Sequence, residues 1–400
     1  MRCMNQRRNK VMYSKRMSRR RFLELVGVSA GVGVSASLLA HTGAPGWALA
    51  QTPEVSPTAE ATESFADLPP DERMRAELAK VMVDTSQWKK DPPWRLAFVT
   101  QGKTNSWVVM FDAHVDYAVQ EKYAGMFSDF FYGDAQGNAE KQLDDFEDAL
   151  VWGPDVILLA PMGQAAISAS VDEAMAEGIP IIYNSSRADS DNFVSWVEAS
   201  NYRQGKIFAE WLAEKMNYKG TYIALSGIAG LSVVEDRLRG GRDVFKKYPD
   251  IVELGQAYCN FSPTEAKKAT EAFIAANPHI DAVWADSGLE SWGAIEAFAE
   301  AKRDIPPCSG EDLNGFLRRC KEYNVDFIAV NYPVEIGLHA VDTVVKVMSG
   351  EPVPKYVDVP SIKFGKDELD KYFRPDLSDD YWAVHKLPEE WIEKLGFKKT

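Results

Sequence analysis

The chain has 400 residues but only four cysteines and five histidines. It has no Cys-x-x-Cys pair and no histidine-rich tract, so the ligand spacing of a zinc site is missing. The body of the chain also lacks a Gly-x-Ser-x-Gly elbow, a phosphate-loop motif and a His-Glu-x-x-His helix. The histidines are widely spread, which argues against a catalytic triad, and no enzyme activity or cofactor is expected. Basic charge is also short: 45 Lys/Arg face 59 Asp/Glu, a net charge of −14. Residues 1–50 hold nine of those bases and one acid, so the remainder carries −22. So acidic a body excludes general binding to nucleic-acid backbones and favours solubility. No clustered carboxylate motif marks a cation site; Asp144-Asp145 reads as a solvated helix face. Cys3 falls in a segment expected to be removed. Cys308 and Cys320 either pair or, with Cys259, remain buried free thiols.

The first 50 residues have the order of an export signal. A basic stretch runs to Arg21 and contains Ser18-Arg19-Arg20-Arg21-Phe22-Leu23, which resembles a twin-arginine export motif. An uncharged run, Leu25 to Ala40, follows. Ala48-Leu49-Ala50 then places small residues around a cleavage site before Gln51. The uncharged run is short and weakly hydrophobic for a membrane span. A periplasmic or extracytoplasmic protein exported by the twin-arginine pathway is therefore expected, with 1–50 as the signal peptide. Residues 51–93 are rich in Pro, Thr, Glu and Asp and read as a linker, with a short helix over 70–84 leading into the body.

From Trp94 onward, buried apolar runs alternate with amphipathic ones. Leu96–Thr100 reads as a strand between Pro92-Pro93 and Gly102. Thr104, Asn105 and Ser106 are residue types that cap a helix, and Val108, Phe111, Val115, Ala118 and Val119 form the inner stripe of a helix over 107–123. The same strand–loop–helix unit recurs to about residue 349. That alternation predicts an α/β fold of parallel sheets with helices on both faces, and the strands are too many for one ordinary domain. In such sheets ligands meet the loops at the carboxyl ends of strands. The Gln101–Ser106 loop is therefore the first wall of a candidate site.

From Arg95 to Lys363 the chain resembles the ribose- and galactose-type periplasmic binding proteins, the type I solute-binding proteins of ABC transporters. Several motifs carry the resemblance in order. They are Asp134-Ala-Gln-Gly-Asn138 with Lys141-Gln142, Asp155-Val-Ile-Leu-Leu-Ala-Pro161, and Gly178-Ile-Pro-Ile-Ile-Tyr183. Gly227-Ile-Ala-Gly230 with Arg237-x-x-Gly240, and Ala329-Val-Asn-Tyr-Pro333 with Gly337, complete the set. The resemblance implies two Rossmann-like lobes joined by a three-crossing hinge, with a ligand held between them. The first lobe would take 94–200 plus 333–357 and the second 201–332 plus 358–365. Residues 366–400 would form a C-terminal extension beyond the family pattern, and its Trp382 and Trp391 suggest that it packs on the body.

The resemblance also implies a set of ligand-binding residues. Asn105 and Trp107 match a polar contact and a stacking aromatic, though an N-cap and a core tryptophan fit the same residues. Arg237 matches a ligand arginine, whose guanidinium donates several fixed hydrogen bonds. Phe261 matches an aromatic ring contact. Asp312 matches a carboxylate beside the hinge, and Asn331 an amide that contacts sugar. Two places depart from the family pattern. Asn184-Ser185-Ser186-Arg187 stands where many sugar binders carry Asp-Arg, and Arg187 either supplies the guanidinium or faces solvent. Asp286-Ser287-Gly288 stands where many carry Asn-Asp, and Asp286 or Ser287 would compensate. The implied ligand is a sugar or related polyol, with inositol and nucleoside as alternatives. The implied partner is a membrane permease, with a chemoreceptor or kinase as the alternative. No nucleic-acid partner is implied, and a monomer is expected.

Overall fold

The computed structural model describes residues 70–162 and 165–399. The signal segment and the first part of the linker lie outside the described residues. The chain opens with α1 (Pro70–Leu78) and β1 (Met82–Val83). The first run of alternating units is β2 (Trp94–Thr100), α2 (Ser106–Tyr117), β3 (Phe127–Asp134), α3 (Ala139–Trp152), β4 (Val156–Leu159), α4 (Ser168–Ala176), β5 (Ile181–Asn184) and β6 (Ser195–Glu198). The second is α5 (Asn201–Lys215), β7 (Gly220–Ser226), α6 (Ser232–Phe245), β8 (Ile251–Tyr258), α7 (Pro263–Ala276), β9 (Ala282–Ala285), α8 (Gly288–Glu300), β10 (Cys308–Gly310), α9 (Asn314–Glu322) and β11 (Phe327–Val330). α10 (Ile336–Ser349), β12 (Val353–Pro354), β13 (Tyr356–Asp358), β14 (Lys363–Gly365), α11 (Leu369–Tyr372) and α12 (Glu389–Lys394) close the chain.

These strands make two six-stranded sheets, ordered β13-β6-β5-β4-β2-β3 and β14-β11-β10-β9-β7-β8. The first is parallel throughout; in the second only β14 runs antiparallel, beside β11. Central strands buried on both faces explain the apolar runs: Leu96, Ala97, Phe98 and Val99 are all but inaccessible. Each sheet carries a hydrophobic core on both faces, and the chain passes between the sheets after β6, after β11 and after β13. This is the two-lobed α/β architecture that the alternation implies.

Two local features differ from the sequence expectation, and one open alternative is decided. The helix read over 107–123 is α-helical only to Tyr117, and Ala118–Lys122 forms a π-helical turn. The latter part of the segment read as a linker is packed: β1 pairs with β12 (Met82 opposite Pro354), and Arg75 of α1 is buried. The reason is long-range: Arg75 pairs with Glu198 and Asp236, 123 and 161 residues away, and β1 pairs with β12. Cys259, Cys308 and Cys320 are buried free thiols, so Cys308 and Cys320 do not pair. The C-terminal extension packs on the second lobe, with Trp382, Ile392 and Leu377 in its core, and the same cluster takes Met110 and Ala113 from α2 of the first lobe.

Candidate functional site

The ends of β2, β4 and β5 converge through polar side chains. Gln101 Nε2 donates to Ser186 Oγ (3.2 Å), and Ser186 Oγ donates to the Pro161 carbonyl (2.6 Å). Gly102 stands at φ +92°, and a Cβ there would collide with the backbone of Gln136, so the loop turns tightly only because this residue is glycine. Asn105 caps α2, its Oδ1 accepting from Val108 N (3.1 Å). Trp107, half-buried, stacks on Phe111 (5.1 Å) and on Tyr332 (5.2 Å), and its Nε1 donates to the Tyr332 carbonyl (2.9 Å). Asn105 and Trp107 thus have structural partners and also stand at the strand-end loop. Arg187 lies off this centre: its Nη1 donates to the Ala188 carbonyl (3.3 Å), and its guanidinium sits 5.6 Å over Trp196.

Arg237 is the hub of the facing wall. It is 3% exposed, and its Nε and Nη1 are held by protein groups. Nε donates to Asn201 Oδ1 (2.9 Å), and Nη1 donates to the Asp286 carbonyl (2.9 Å) and lies 3.2 Å from Glu311 Oε1. The same group lies 4.8 Å over the Tyr332 ring. Two glycines fix its place. A Cβ at Gly205 would overlap the Arg237 carbonyl, and one at Gly240 would overlap the Tyr202 carbonyl, so α5 and α6 cross at backbone contact. The Arg237-x-x-Gly240 spacing therefore has a packing cause: the glycine lets α6 approach closely enough for the arginine to reach the hinge.

Tyr332 joins the two walls. Its hydroxyl donates to the Ser185 carbonyl (3.0 Å) of the first lobe and accepts from Asn201 Nδ2 (3.3 Å), while its ring meets Trp107 on one side of the hinge and Arg237 on the other. Asn331, beside it, ties two crossings together: its N–H donates to the Ile362 carbonyl, and its Oδ1 accepts from Ile362 N (2.7 Å).

Around Arg237 stands a ring of buried acceptors. Asp286 Oδ2 accepts from Gly227 N (3.0 Å), but Oδ1 has no partner. Ser226 Oγ and Gln204 Oε1 also lack one, and burial, helped by the charge of Asp286, raises the neighbouring Glu290 carboxyl. Burial pushes the Asp286 carboxyl up to about 7 against the pull of Arg237, and it raises Glu311 against the same charge. Ser287 Oγ caps α8 by accepting from Leu289 N (3.1 Å). Phe261 sits at φ +52° with its ring against Gly227, where a Cβ would collide with it. Asp312 is occupied by the extension: Oδ2 accepts from Val384 N (2.6 Å) and its carbonyl from Ala383 N (3.1 Å). Burial pushes its carboxyl up to about 8, opposed by the Val384 N–H.

The structure therefore brings Trp107, Arg237 and Asn331 to one hinge, with Asp286 and Ser287 at its second-lobe side. Arg187 instead lies over Trp196, and Asp312 holds the C-terminal extension. Asn201, Glu311 and Tyr332 escaped the sequence reading. Tyr332 lay inside a quoted motif, and Glu311 beside Asp312, but nothing local marks which neighbour points at Arg237. Buried acceptors without donors, set around one guanidinium and flat aromatics, suit a small ligand rich in hydroxyl donors.

The chain matches the periplasmic binding protein domain over residues 96–352. It is 27% identical over 228 residues to the ribose import binding protein of Bacillus subtilis, covering 57% of this chain and 74% of that one. It is 28% identical over 246 residues to the xylitol-binding protein of Mycolicibacterium smegmatis, covering 60% and 69%. Among solved structures, one from Mycobacterium smegmatis in complex with β-D-fucofuranose superposes with a TM-score of 0.65 at 23% identity, over 70% of this chain and 93% of the other. A solute-binding protein from Bacillus halodurans with bound myo-inositol gives 0.65 at 21% identity, over 71% and 98%. These relatives are substrate-binding proteins, not enzymes. The chain belongs to the periplasmic binding protein family, with the two-lobed type I fold.

Proposed function

We propose that the protein captures a sugar or related polyol between its lobes and delivers it to the permease of an ABC importer. The observation that carries this reading is the Arg237 hub. A buried guanidinium, the Trp107 and Tyr332 rings and acceptors without donors meet at the hinge between two lobes. The relatives that bind ribose and xylitol support the ligand class, and the import binding proteins among them support the permease partner. Ligand contacts to both lobes favour the closed form by differential affinity, with no covalent step. Ser18–Leu23 and the small residues before Gln51 support export. A thermal-shift screen of the protein from Gln51 onward tests the reading with pentoses, hexoses, pentitols, inositols and nucleosides. A ligand that binds only the native state raises the melting temperature by mass action. A shift with a sugar or polyol supports the proposal, and a flat response across all five classes overturns it.

A further inference from the structure

Residues 70–93 fall outside the span matched by the family, yet α1 sends a buried arginine between the lobes. Arg75 is 4% exposed. Its Nε donates to Glu198 Oε1 (2.6 Å) at the end of β6 in the first lobe. Its Nη2 donates to Asp236 Oδ2 (2.6 Å) on α6 of the second lobe. Nη1 is held by Glu72 of its own helix (2.9 Å), and Glu72 in turn accepts from Ser200 Oγ (2.9 Å) at the first crossing. The guanidinium also lies 4.8 Å over Trp196. One side chain thus engages a carboxylate on each lobe.

The contact continues into the candidate site. Glu198 Oε2 accepts from Asn201 Nδ2 (3.4 Å), and Asn201 Oδ1 accepts from Arg237 Nε (2.9 Å). Arg75, Glu198, Asn201 and Arg237 form one chain of hydrogen bonds from outside the family domain to the hub of the cleft. Opening the lobes draws Glu198 away from Asp236, so Arg75 must give up one partner and leave the other carboxylate without its counter-charge. Charge-assisted bonds in buried surroundings make that separation costly.

We propose that Arg75 is an inter-lobe latch: the helix before the domain closes over the cleft and biases the empty protein toward the closed form. The proposal rests on the binding-protein reading of the hinge but not on the identity of the ligand. Double electron–electron resonance on the ligand-free protein tests it, with spin labels at E140C and T264C. Those positions are exposed and stand at the starts of α3 and α7, on opposite lobes. The three described native cysteines are buried and leave the labels specific. Arg75→Met should raise the long-distance population about tenfold, Asp236→Asn should raise it less, and Arg75→Lys should retain part of the closed population. Asp236→Asn keeps the Glu198 contact and remains informative if Arg75→Met does not fold. Distance distributions of folded Arg75→Met, or of Asp236→Asn in its place, that superimpose on wild type would overturn the latch. No sugar is added, so a flat ligand screen and a failed latch are separate outcomes.

Discussion

Replacing Arg237 with methionine removes the guanidinium but keeps most of the stem. Four interactions are lost: the bonds to Asn201 Oδ1 and to the Asp286 carbonyl, the ion pair with Glu311, and the contact over Tyr332. Glu311, 2% exposed, is left as a buried carboxylate without its cationic partner, with Gln204 Nε2 (3.1 Å) among its remaining donors. Breaking a buried ion pair by removing one partner costs about 3–5 kcal/mol, because the other charge stays buried. Typical domains have only about 5–15 kcal/mol of stability, so the single variant should unfold at clearly lower urea. The second arm is Arg237→Met with Glu311→Gln. Neutralising the stranded carboxylate should recover about half of the loss or more, because most of the penalty is the unpaired charge rather than the missing contact. The assay is urea unfolding of the four proteins in a double-mutant cycle. The reasoning fails if Arg237→Met costs less than about 1 kcal/mol, or if Glu311→Gln adds its own loss instead of rescuing.

Three further outcomes follow. Burial raises the Asp312 carboxyl to about 8, far above its unfolded value of about 3.9, so its contribution to stability is fully present below the lower value and is lost as pH rises through the upper one. Urea midpoints between pH 5 and 8 should therefore fall more steeply for wild type than for Asp312→Asn, and parallel slopes would refute this. Trp382 is 1% exposed and its Nε1 donates to Ser106 Oγ (3.0 Å), so Trp382→Ala should destabilise by about 3–5 kcal/mol in the same assay. Gly240→Ala places a methyl against the Tyr202 carbonyl and should cost about 1–3 kcal/mol in the same assay; an unchanged urea midpoint would refute the close crossing.

The strands were legible because burial on both faces leaves an unbroken apolar run: Leu96–Thr100 was expected and Trp94–Thr100 is observed. A helix start was legible where a side chain caps, as at Asn105, since capping is a local event. Some candidate residues sit in a spacing that has a packing cause. Arg237-x-x-Gly240 is such a case, because Gly240 permits the crossing of α5 and α6. Arg75 was not legible: its two inter-lobe partners lie 123 and 161 residues away, and an arginine in an acidic segment looks solvated. Nor was the hold of Asp312 on the tail, whose partner Val384 is 72 residues on and beyond the family pattern. Long-range pairing of charged groups leaves no periodic trace, whereas burial of apolar ones does.

The most direct test of the central claim is calorimetric titration of the protein from Gln51 onward with each sugar or polyol that shifts its melting temperature. Wild type and Arg237→Lys would be compared at equal concentration of folded protein. The account predicts one saturable site, weakened about tenfold or more in Arg237→Lys, because lysine cannot reproduce the forked contacts of a guanidinium. No saturable heat with any of these ligands, or equal affinity in the two proteins, would contradict it.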